Sequence, residues 1–209
     1  MSSAPTVVFD VAQVLLGWDP QAMLRRLLPQ LAPDAAAAAR LELLLFENWV
    51  GDWVAFDRGQ VDSAGIVATI VQRTGLVAED VALVVDAIAH ELQPLPDTLA
   101  LMEELLAAGH RLTYLSNMPA PYVQWLLARH PFFGRFADGI FSCDVGTSKP
   151  AQDIFALAEQ RFGLAPAQAV FLDDSAANIG AAQARGWQAL LFTDAASARA
   201  GLHRLGLLG

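Results

Sequence analysis

Two kinds of segment alternate in the hydrophobic pattern of the chain. The first kind is a short run of β-branched and aromatic residues that is apolar at almost every position. This pattern is typical of strands that are buried on both faces of a parallel sheet. We therefore predict strands at Thr6–Phe9, Arg111–Leu115, Gly139–Phe141, Ala169–Leu172 and Ala189–Phe192.

The second kind of segment is longer, rich in Ala and Leu, and apolar at helical spacing. Between the predicted strands it occurs at Pro96–Ala108, Pro121–Arg129, Ala151–Phe162 and Ala176–Arg185. A glycine follows three of these segments, as expected at helix ends, at positions Gly109, Gly163 and Gly186. Strands and helices in alternation indicate βαβ units, so the sequence predicts an α/β protein with a doubly wound parallel sheet.

One stretch, from about Gly17 to Gln93, has no convincing strand pattern. Its apolar residues recur only at helical spacing, over Gln21–Leu28, Ala35–Trp49, Ala64–Arg73 and Ala78–Leu92. Pro94 and Pro96 then mark the return to the alternating pattern. We therefore predict a small helical domain at residues 17–93, inserted into an α/β core domain formed by residues 1–16 and 94–209.

Composition narrows the class of protein. A hydrophobic fraction of 55% with a charged fraction of 17% is typical of a globular protein, and the net charge of −9 disfavours a nucleic-acid partner. No apolar run approaches the ~20 residues that a membrane-spanning helix needs, and the first residues do not resemble a signal peptide. The lone Cys143 allows neither an intrachain disulfide nor a multi-cysteine metal site. We expect a cytoplasmic protein that binds neither nucleic acid nor membrane.

Acidic residues follow two of the predicted strands at the point where each strand ends. Asp10 comes directly after the first strand, and Asp173 and Asp174 come after the fourth. The carboxyl ends of parallel strands lie along one edge of a sheet, so these carboxylates should converge. Each could serve singly as a helix cap or turn residue. Together they form a hard oxygen site of the kind that Mg²⁺ prefers.

Groups that could hold a phosphate follow the other two strands of this set. Ser116 and Asn117 end the second strand, and Lys149 follows the third by a short loop. Lys149 is the only lysine among thirteen basic residues, and its compact ammonium suits a phosphoryl group or a nucleophilic carboxylate. Phosphoryl transfer needs mainly positioning and charge neutralisation, which these residues could supply around an aspartyl-phosphate.

Four segments, in this order, resemble the motifs of the haloacid dehalogenase (HAD) superfamily. The inserted helical domain stands where the class-I cap of that family lies. The resemblance runs from Val7 to about Gly186 and is strongest to the branch that contains small sugar-phosphate phosphatases and the phosphatase domain of soluble epoxide hydrolases. The four segments are Phe9–Leu15, Leu115–Asn117, Ser148–Pro150 and Phe171–Asn178.

The resemblance implies a magnesium site with one departure from the usual pattern. Asp10 would be the nucleophile and a Mg²⁺ ligand, Asp174 a second ligand, and Asp173 a further ligand or its hydrogen-bonding neighbour. The backbone carbonyl of Ala12 would also contact the metal. The family usually has an aspartate at this position, which protonates the leaving group and activates water. Its absence at Ala12 removes a role worth ~10²–10⁴-fold in rate.

The resemblance also implies that Ser116 and Asn117 hold the phosphoryl group while Lys149 steadies its charge. The expected activity is Mg²⁺-dependent hydrolysis of phosphate monoesters of small metabolites, slowed by the missing acid. One alternative is a 2-haloacid dehalogenase, which attacks carbon without a metal. Another is a non-catalytic protein that binds a phosphate ligand. The paired carboxylates, and the lack of an obvious halide-binding arginine shortly after Asp10, favour the phosphatase.

Two aromatic-rich segments of the predicted cap, Phe46–Trp49 and Trp53–Arg58, could line a substrate pocket. The alternative is that their aromatic residues pack the cap's own small core. Trp18 and Asp19, at the first junction between cap and core, are better candidates for facing a phosphate. Closure of such a cap would exclude water from the site.

Overall fold

The computed structural model describes residues 5–47 and 51–209. In this part of the chain the strands are β1 (Thr6–Phe9), β2 (Leu16–Gly17), β3 (Gln93–Pro94), β4 (Arg111–Ser116), β5 (Asp138–Phe141), β6 (Ala169–Asp173) and β7 (Gln188–Leu191). Five of them form a parallel sheet in the order β5-β4-β1-β6-β7, and β2 pairs with β3 in a separate antiparallel ladder. The first strand is central and the others extend from it in both directions, so the predicted doubly wound fold is confirmed.

The central strand β1 is apolar throughout because both faces of the sheet are covered. Val7 and Phe9 face one hydrophobic layer and Val8 faces the other, and all three are fully buried. β1 pairs with β4 and with β6 in a register that sets Phe9 opposite Tyr114 and Leu172. The carboxyl ends of these three neighbouring strands therefore lie close together.

The helices fall into two groups. Between β2 and β3, within the described residues, the chain forms α1 (Pro20–Leu27), α2 (Ala35–Phe46), α3 (Asp52–Asp57), α4 (Ser63–Thr74) and α5 (Ala78–Glu91). After β3 it forms α6 (Pro96–Ala107), α7 (Ala120–Arg129), α8 (Ser142–Val145), α9 (Gln152–Phe162), α10 (Ala176–Ala184) and α11 (Ala195–Arg204).

Two hydrophobic clusters cover the main sheet. On the face that carries Val8, the cluster includes Phe155 of α9 and Ile179 of α10. On the opposite face it includes Leu105 of α6 and Leu202 of α11, and it continues into the buried residues of α1–α5. Helices on both faces explain why the strands carry continuous apolar runs rather than an alternating pattern.

The short ladder of β2 and β3 joins the two places where the chain passes between the sheet and helices α1–α5. Leu16 is paired with Pro94, and the backbone N–H of Leu95 donates to the carbonyl oxygen of Leu15 at 2.9 Å. The two chain crossings therefore lie side by side. The division into a core and an inserted domain at residues 17 and 93 stays a prediction.

The predicted strands of the main sheet match the observed ones to within one residue at each end. The expectation of no strand from Gly17 to Gln93 needs a correction at its margins, because both residues belong to two-residue strands. Such strands are too short to show a periodic pattern. The predicted helix Ala35–Trp49 ends as α2 at Phe46, where Glu47 takes a left-handed conformation, and Trp49 lies outside the described residues.

Candidate active site

Asp10 lies at the end of the central strand, at the edge of the sheet where the sequence analysis expects the site. Its backbone N–H donates to the carbonyl oxygen of Leu172 at 2.8 Å, which continues the ladder between β1 and β6. Its carboxylate oxygen Oδ1 accepts a bond from the backbone N–H of Val11 at 2.7 Å and lies 2.8 Å from the Lys149 ammonium. Two donors on one oxygen fix the orientation of this carboxylate.

Lys149 is buried between two carboxylates. Its Nζ lies 2.8 Å from Asp10 Oδ1 and 2.6 Å from Asp173 Oδ2, and only 1% of its side chain is exposed. The ring of Phe171 lies beneath the ammonium, with its centroid 5.4 Å from Nζ. Burial disfavours the ammonium, but the charges and hydrogen bonds of Asp10 and Asp173 outweigh it and raise the pKa of Lys149. The lysine is therefore a fixed positive charge in the site.

Asn117 holds the backbone of Lys149 in position. Its Oδ1 accepts from the backbone N–H of Lys149 at 2.8 Å, and its Nδ2 donates to the carbonyl oxygen of the same residue at 2.9 Å. Both ends of the Asn117 amide are thus used inside the protein. A contribution of Asn117 to phosphate binding would come through its backbone, while Ser116 is fully buried at the end of β4.

Asp173 is surrounded by hydrogen-bond donors. Its Oδ1 accepts from the backbone N–H of Ser175 at 2.8 Å and from Nδ2 of Asn178 at 2.9 Å. Its Oδ2 accepts from Lys149 at 2.6 Å and from the same Asn178 nitrogen at 3.1 Å. Asp173 is therefore better placed to orient Lys149 than to ligate a metal. No sequence pattern assigns Asn178 a role, because its contact with Asp173 depends on the turn between β6 and α10.

Three carboxylates, those of Asp10, Asp173 and Asp174, each offer an oxygen atom within 4.8 Å of the others. Burial and the charges of Asp173 and Asp174 raise the pKa of Asp10 despite the opposing effect of Lys149. Burial and the charge of Asp173 also raise the pKa of Asp174, which is the exposed member of the set. One ammonium does not balance three carboxylates, so the donor set fits a divalent cation with oxygen ligands.

Ala12 lies in a tight turn that directly follows Asp10. The backbone N–H groups of Leu15 and Leu16 both donate to the carbonyl oxygen of Val11 at 2.9 Å, and Gln13 adopts a positive φ of 62°. The methyl group of Ala12 packs against the hydrophobic cluster of the sheet. Position 12 therefore supplies no ionisable group to the site.

The C-terminal end of α3 contacts the rim of the site. The carbonyl oxygen of Asp57 accepts from Ser142 Oγ at 2.5 Å, and Nε of Arg58 donates to Ser148 Oγ at 2.9 Å. Burial raises the pKa of Asp57 to about 7, although the charges of Lys149 and Arg58 oppose the rise. Sequence patterns do not reveal these contacts, since they depend on how α3 docks against a distant part of the chain.

The aromatic residues of the inserted segment mostly pack against one another. Phe46, Trp53 and Phe56 are at most 2% exposed, with ring centroids 5.3 and 5.5 Å apart along this series. They thus form part of the internal core, which was one of the two expectations for them. The Asp19 carboxylate caps α1 by accepting from the backbone N–H of Ala22 at 2.9 Å, so a structural role accounts for it.

The candidate site thus combines a carboxylate at the end of the first strand with a buried lysine and a second acidic strand end. Residues 4–186 match the sequence profile of the haloacid dehalogenase-like hydrolases. The chain belongs to that family and is a hydrolase, as the sequence motifs predict.

Two relatives of the chain are phosphatases. A sesquiterpene phosphatase of Aspergillus oryzae is 25% identical over 188 residues, which are 90% of this chain and 89% of the relative. A phosphoglycolate phosphatase of Escherichia coli is 37% identical over 90 residues, which are 43% of this chain but 34% of the relative. The chain thus spans about a third of the length of the second relative.

Solved structures share the fold at lower identity. A HAD family enzyme of Bacteroides thetaiotaomicron, crystallised with magnesium and inorganic phosphate, is 18% identical, with a TM-score of 0.66 and coverage of 90% of this chain and 93% of its own. An L-2-haloacid dehalogenase of Xanthobacter autotrophicus is 20% identical, with a TM-score of 0.67 and coverage of 99% and 85%. Among the described residues, no helix has both the length and the apolar character to span a bilayer.

Proposed function

We propose that the chain is a Mg²⁺-dependent phosphatase that hydrolyses phosphate monoesters of small metabolites through an aspartyl-phosphate on Asp10. The observation that carries this proposal is the buried Lys149 held between Asp10 and Asp173, with Asp174 beside them. A lone ammonium among three carboxylates leaves excess negative charge, which a divalent cation and an incoming phosphoryl group would share.

Asp10 is the proposed nucleophile because it is the carboxylate at the end of the central strand that contacts Lys149 directly. Its Oδ1 is fixed by Lys149 and by the backbone N–H of Val11, so the carboxylate is oriented before the substrate arrives. Such preorganisation lowers the barrier because the reacting group does not have to be repositioned.

The proposed metal site consists of the carboxylates of Asp10 and Asp174 and the backbone carbonyl of Ala12. Asp173, whose oxygens already accept hydrogen bonds, would stand behind them and hold Lys149. A bound Mg²⁺ would neutralise phosphoryl charge and keep the nucleophile ionised. Residues that lie behind the metal ligands and bond to their neighbours usually fix the orientation of those ligands.

The phosphoryl oxygens are the proposed partners of Lys149, the Ser116 hydroxyl and the backbone of Asn117. Lys149 supplies the charge, and the two-bond grip of the Asn117 side chain on its backbone sets the position of that charge. Phosphoryl transfer depends on this combination of positioning and charge neutralisation more than on covalent chemistry from the protein.

The relatives support phosphate esters as the substrate class, since the names of both describe phosphatases. The dehalogenase fold neighbour keeps a second candidate open, because an aspartate nucleophile can also attack carbon. The cluster of three carboxylates favours the phosphatase. Such a cluster suits a divalent cation, which phosphoryl transfer uses to neutralise charge and which displacement of halide from carbon does not need.

Hydrolysis of p-nitrophenyl phosphate by the purified protein, with Mg²⁺ and with EDTA, tests the proposal. We expect turnover that requires Mg²⁺ and disappears in Asp10→Asn. Release of chloride from 2-chloropropionate in EDTA would instead support the dehalogenase. Binding of inorganic phosphate with no turnover of any ester would support the non-catalytic alternative. A panel of phosphorylated metabolites would then identify the substrate.

A further inference from the structure

The turn after Asp10 provides no side chain that could transfer protons during phosphate-ester hydrolysis. The leaving oxygen needs a proton, and the water that attacks the aspartyl-phosphate must lose one. Ala12 has only a methyl group to offer, and that methyl packs against the core. A carboxyl from another part of the chain would have to approach the same space.

Helix α3 brings such a carboxyl to the rim of the site at Asp57. The Asp57 carbonyl accepts from Ser142 Oγ at 2.5 Å, and that oxygen in turn accepts from the backbone N–H of Met118 at 2.9 Å, just after Ser116 and Asn117. The next residue, Arg58, donates to Ser148, the neighbour of Lys149, at 2.9 Å. Asp57 is therefore fixed from both sides to loops that carry the proposed phosphate-binding residues.

The chain beyond Asp57 lies close against the core. Gly59 has a φ of +67°, and a Cβ at this position would lie 3.1 Å from the carbonyl oxygen of Cys143. Phe56, on the other side of Asp57, meets the ring of Tyr122 edge-on at 5.6 Å. These contacts hold the chain on both sides of Asp57 against the core.

Among the described residues, the charged groups that act on the pKa of Asp57 are all cations. Lys149 exerts the largest charge effect on Asp57, followed by Arg58. Asp57 in turn contributes to the raised pKa values of Tyr122 and Cys143, the other titratable groups that face it. Burial is the dominant influence and brings the pKa of Asp57 to about 7.

We propose that Asp57 is the general acid and base of this enzyme and takes the role for which Ala12 has no functional group. The inference rests on the proposed phosphatase function. Its basis is the position of the α3 end, which is joined by hydrogen bonds to the loops that follow β4 and precede Lys149. The Asp57 carboxyl lies close enough to Lys149 for the two charges to interact, and Lys149 is the proposed partner of the phosphoryl group.

The two chemical steps then balance. In the first, an Asp10 carboxylate oxygen bonds to phosphorus, the bond from phosphorus to the ester oxygen breaks, and the Asp57 proton passes to that oxygen to release an alcohol. In the second, water bonds to phosphorus and gives a proton to the Asp57 carboxylate. The bond from phosphorus to Asp10 then breaks, which releases phosphate and restores both side chains. A pKa near 7 suits a group that must both give and take a proton.

The test compares Asp57→Asn with wild type on two esters, glycerol 2-phosphate as an alkyl phosphate and p-nitrophenyl phosphate as an aryl phosphate. We expect kcat on the alkyl ester to fall ~10²-fold or more, and kcat on the aryl ester to fall far less, because its leaving oxygen needs less protonation. Ala12→Asp added to Asp57→Asn should restore the alkyl rate. Asp52→Asn, the same change at the start of α3, is the matched control and should leave both rates unchanged.

Folding and phosphate binding are measured alongside these rates. Circular dichroism and Mg²⁺-dependent binding of inorganic phosphate, followed by calorimetry, should be unchanged in Asp57→Asn, because Lys149 and Ser116 remain. If the variant fails to fold, the wild-type pH profile decides: kcat/KM on the alkyl ester should decline above pH 7, and the decline should be weaker on the aryl ester.

The outcomes separate this inference from the proposed function. No hydrolysis of either ester by wild type would overturn both. Wild-type hydrolysis with equal losses on the two esters in Asp57→Asn, or with no loss, would overturn the role of Asp57 alone. A rise in KM without a fall in kcat would make Asp57 a substrate-binding residue instead.

Discussion

Lys149→Arg should be far from conservative in this protein. The Lys149 ammonium lies 2.8 Å from Asp10 and 2.6 Å from Asp173 in a position that is 1% exposed, with the Phe171 ring beneath it. The backbone cannot retreat to make room, because Asn117 holds both its N–H and its carbonyl. The larger planar guanidinium must therefore displace either the two carboxylates or the incoming phosphoryl group.

The size of the effect follows from this lack of space. Overpacking a buried site typically costs ~1–3 kcal/mol of stability, and misplacement of a reacting group by about 1 Å can cost ~10²-fold in rate. We expect kcat on p-nitrophenyl phosphate to fall by about that factor, together with a lower melting temperature. Arginine keeps the positive charge, so a loss of turnover or stability would result from the altered geometry of the site.

The matched control is Arg199→Lys, the reverse exchange at a pair with Glu104 on the surface, where we expect no change in turnover and less than ~1 kcal/mol in stability. Steady-state kinetics with saturating Mg²⁺ and thermal unfolding followed by circular dichroism supply both measurements. Near-normal turnover in Lys149→Arg would refute the argument that the site needs a compact charge at this position.

Three further predictions concern the carboxyl groups. Asp10→Asn should keep the fold and lose all Mg²⁺-dependent hydrolysis, since an amide is a poor nucleophile and a weak ligand for Mg²⁺; wild-type turnover in the pure variant would contradict the mechanism. Ala12→Asp should speed alkyl esters more than aryl esters, and the gain should be larger when Asp57 is Asn; equal gains on both esters would count against it. Burial raises the pKa of Asp57 from 3.8 in the unfolded chain to about 7 in the folded protein. Between these values the folded state binds this proton more tightly than the unfolded state does, so the protein loses stability as the pH rises through this range. The melting temperature of Asp57→Asn should therefore fall less than that of wild type between pH 5 and pH 8, by roughly 2–4 °C for each kcal/mol of difference, and parallel curves would contradict this account.

Much of the candidate site could be anticipated from the sequence because its residues lie at the ends of strands. Asp10, Ser116 and Asp173 each lie at or directly after a run of apolar residues, and the topology of a parallel sheet is enough to bring them together. Composition alone indicates a special role for Lys149, because it is the single lysine of the chain. These signals are local in sequence, so no knowledge of tertiary contacts is needed.

Other parts of the site depend on contacts that no local pattern encodes. The resemblance implies that Asn117 helps to hold the phosphoryl group, and no local pattern shows that its side chain bonds to a backbone segment 32 residues further along the chain. Arg58 bonds to Ser148 across 90 residues, and the position of Asp57 follows from that docking. The strands β2 and β3 are two residues long, and a pairing of that length leaves no periodicity to detect.

The ladder of β2 and β3 also bears on how helices α1–α5 could move relative to the sheet. Because both chain crossings are tied together there, a movement of helices α1–α5 relative to the sheet would be hinged at this ladder. Such a rotation would break the bonds of Asp57 to Ser142 and of Arg58 to Ser148, and also the bond from the Tyr122 hydroxyl to the Val85 carbonyl. If the chain is the phosphatase proposed above, the strength of these three bonds would influence the rate of phosphate release, and weakening them should make chemistry rather than opening the slow step.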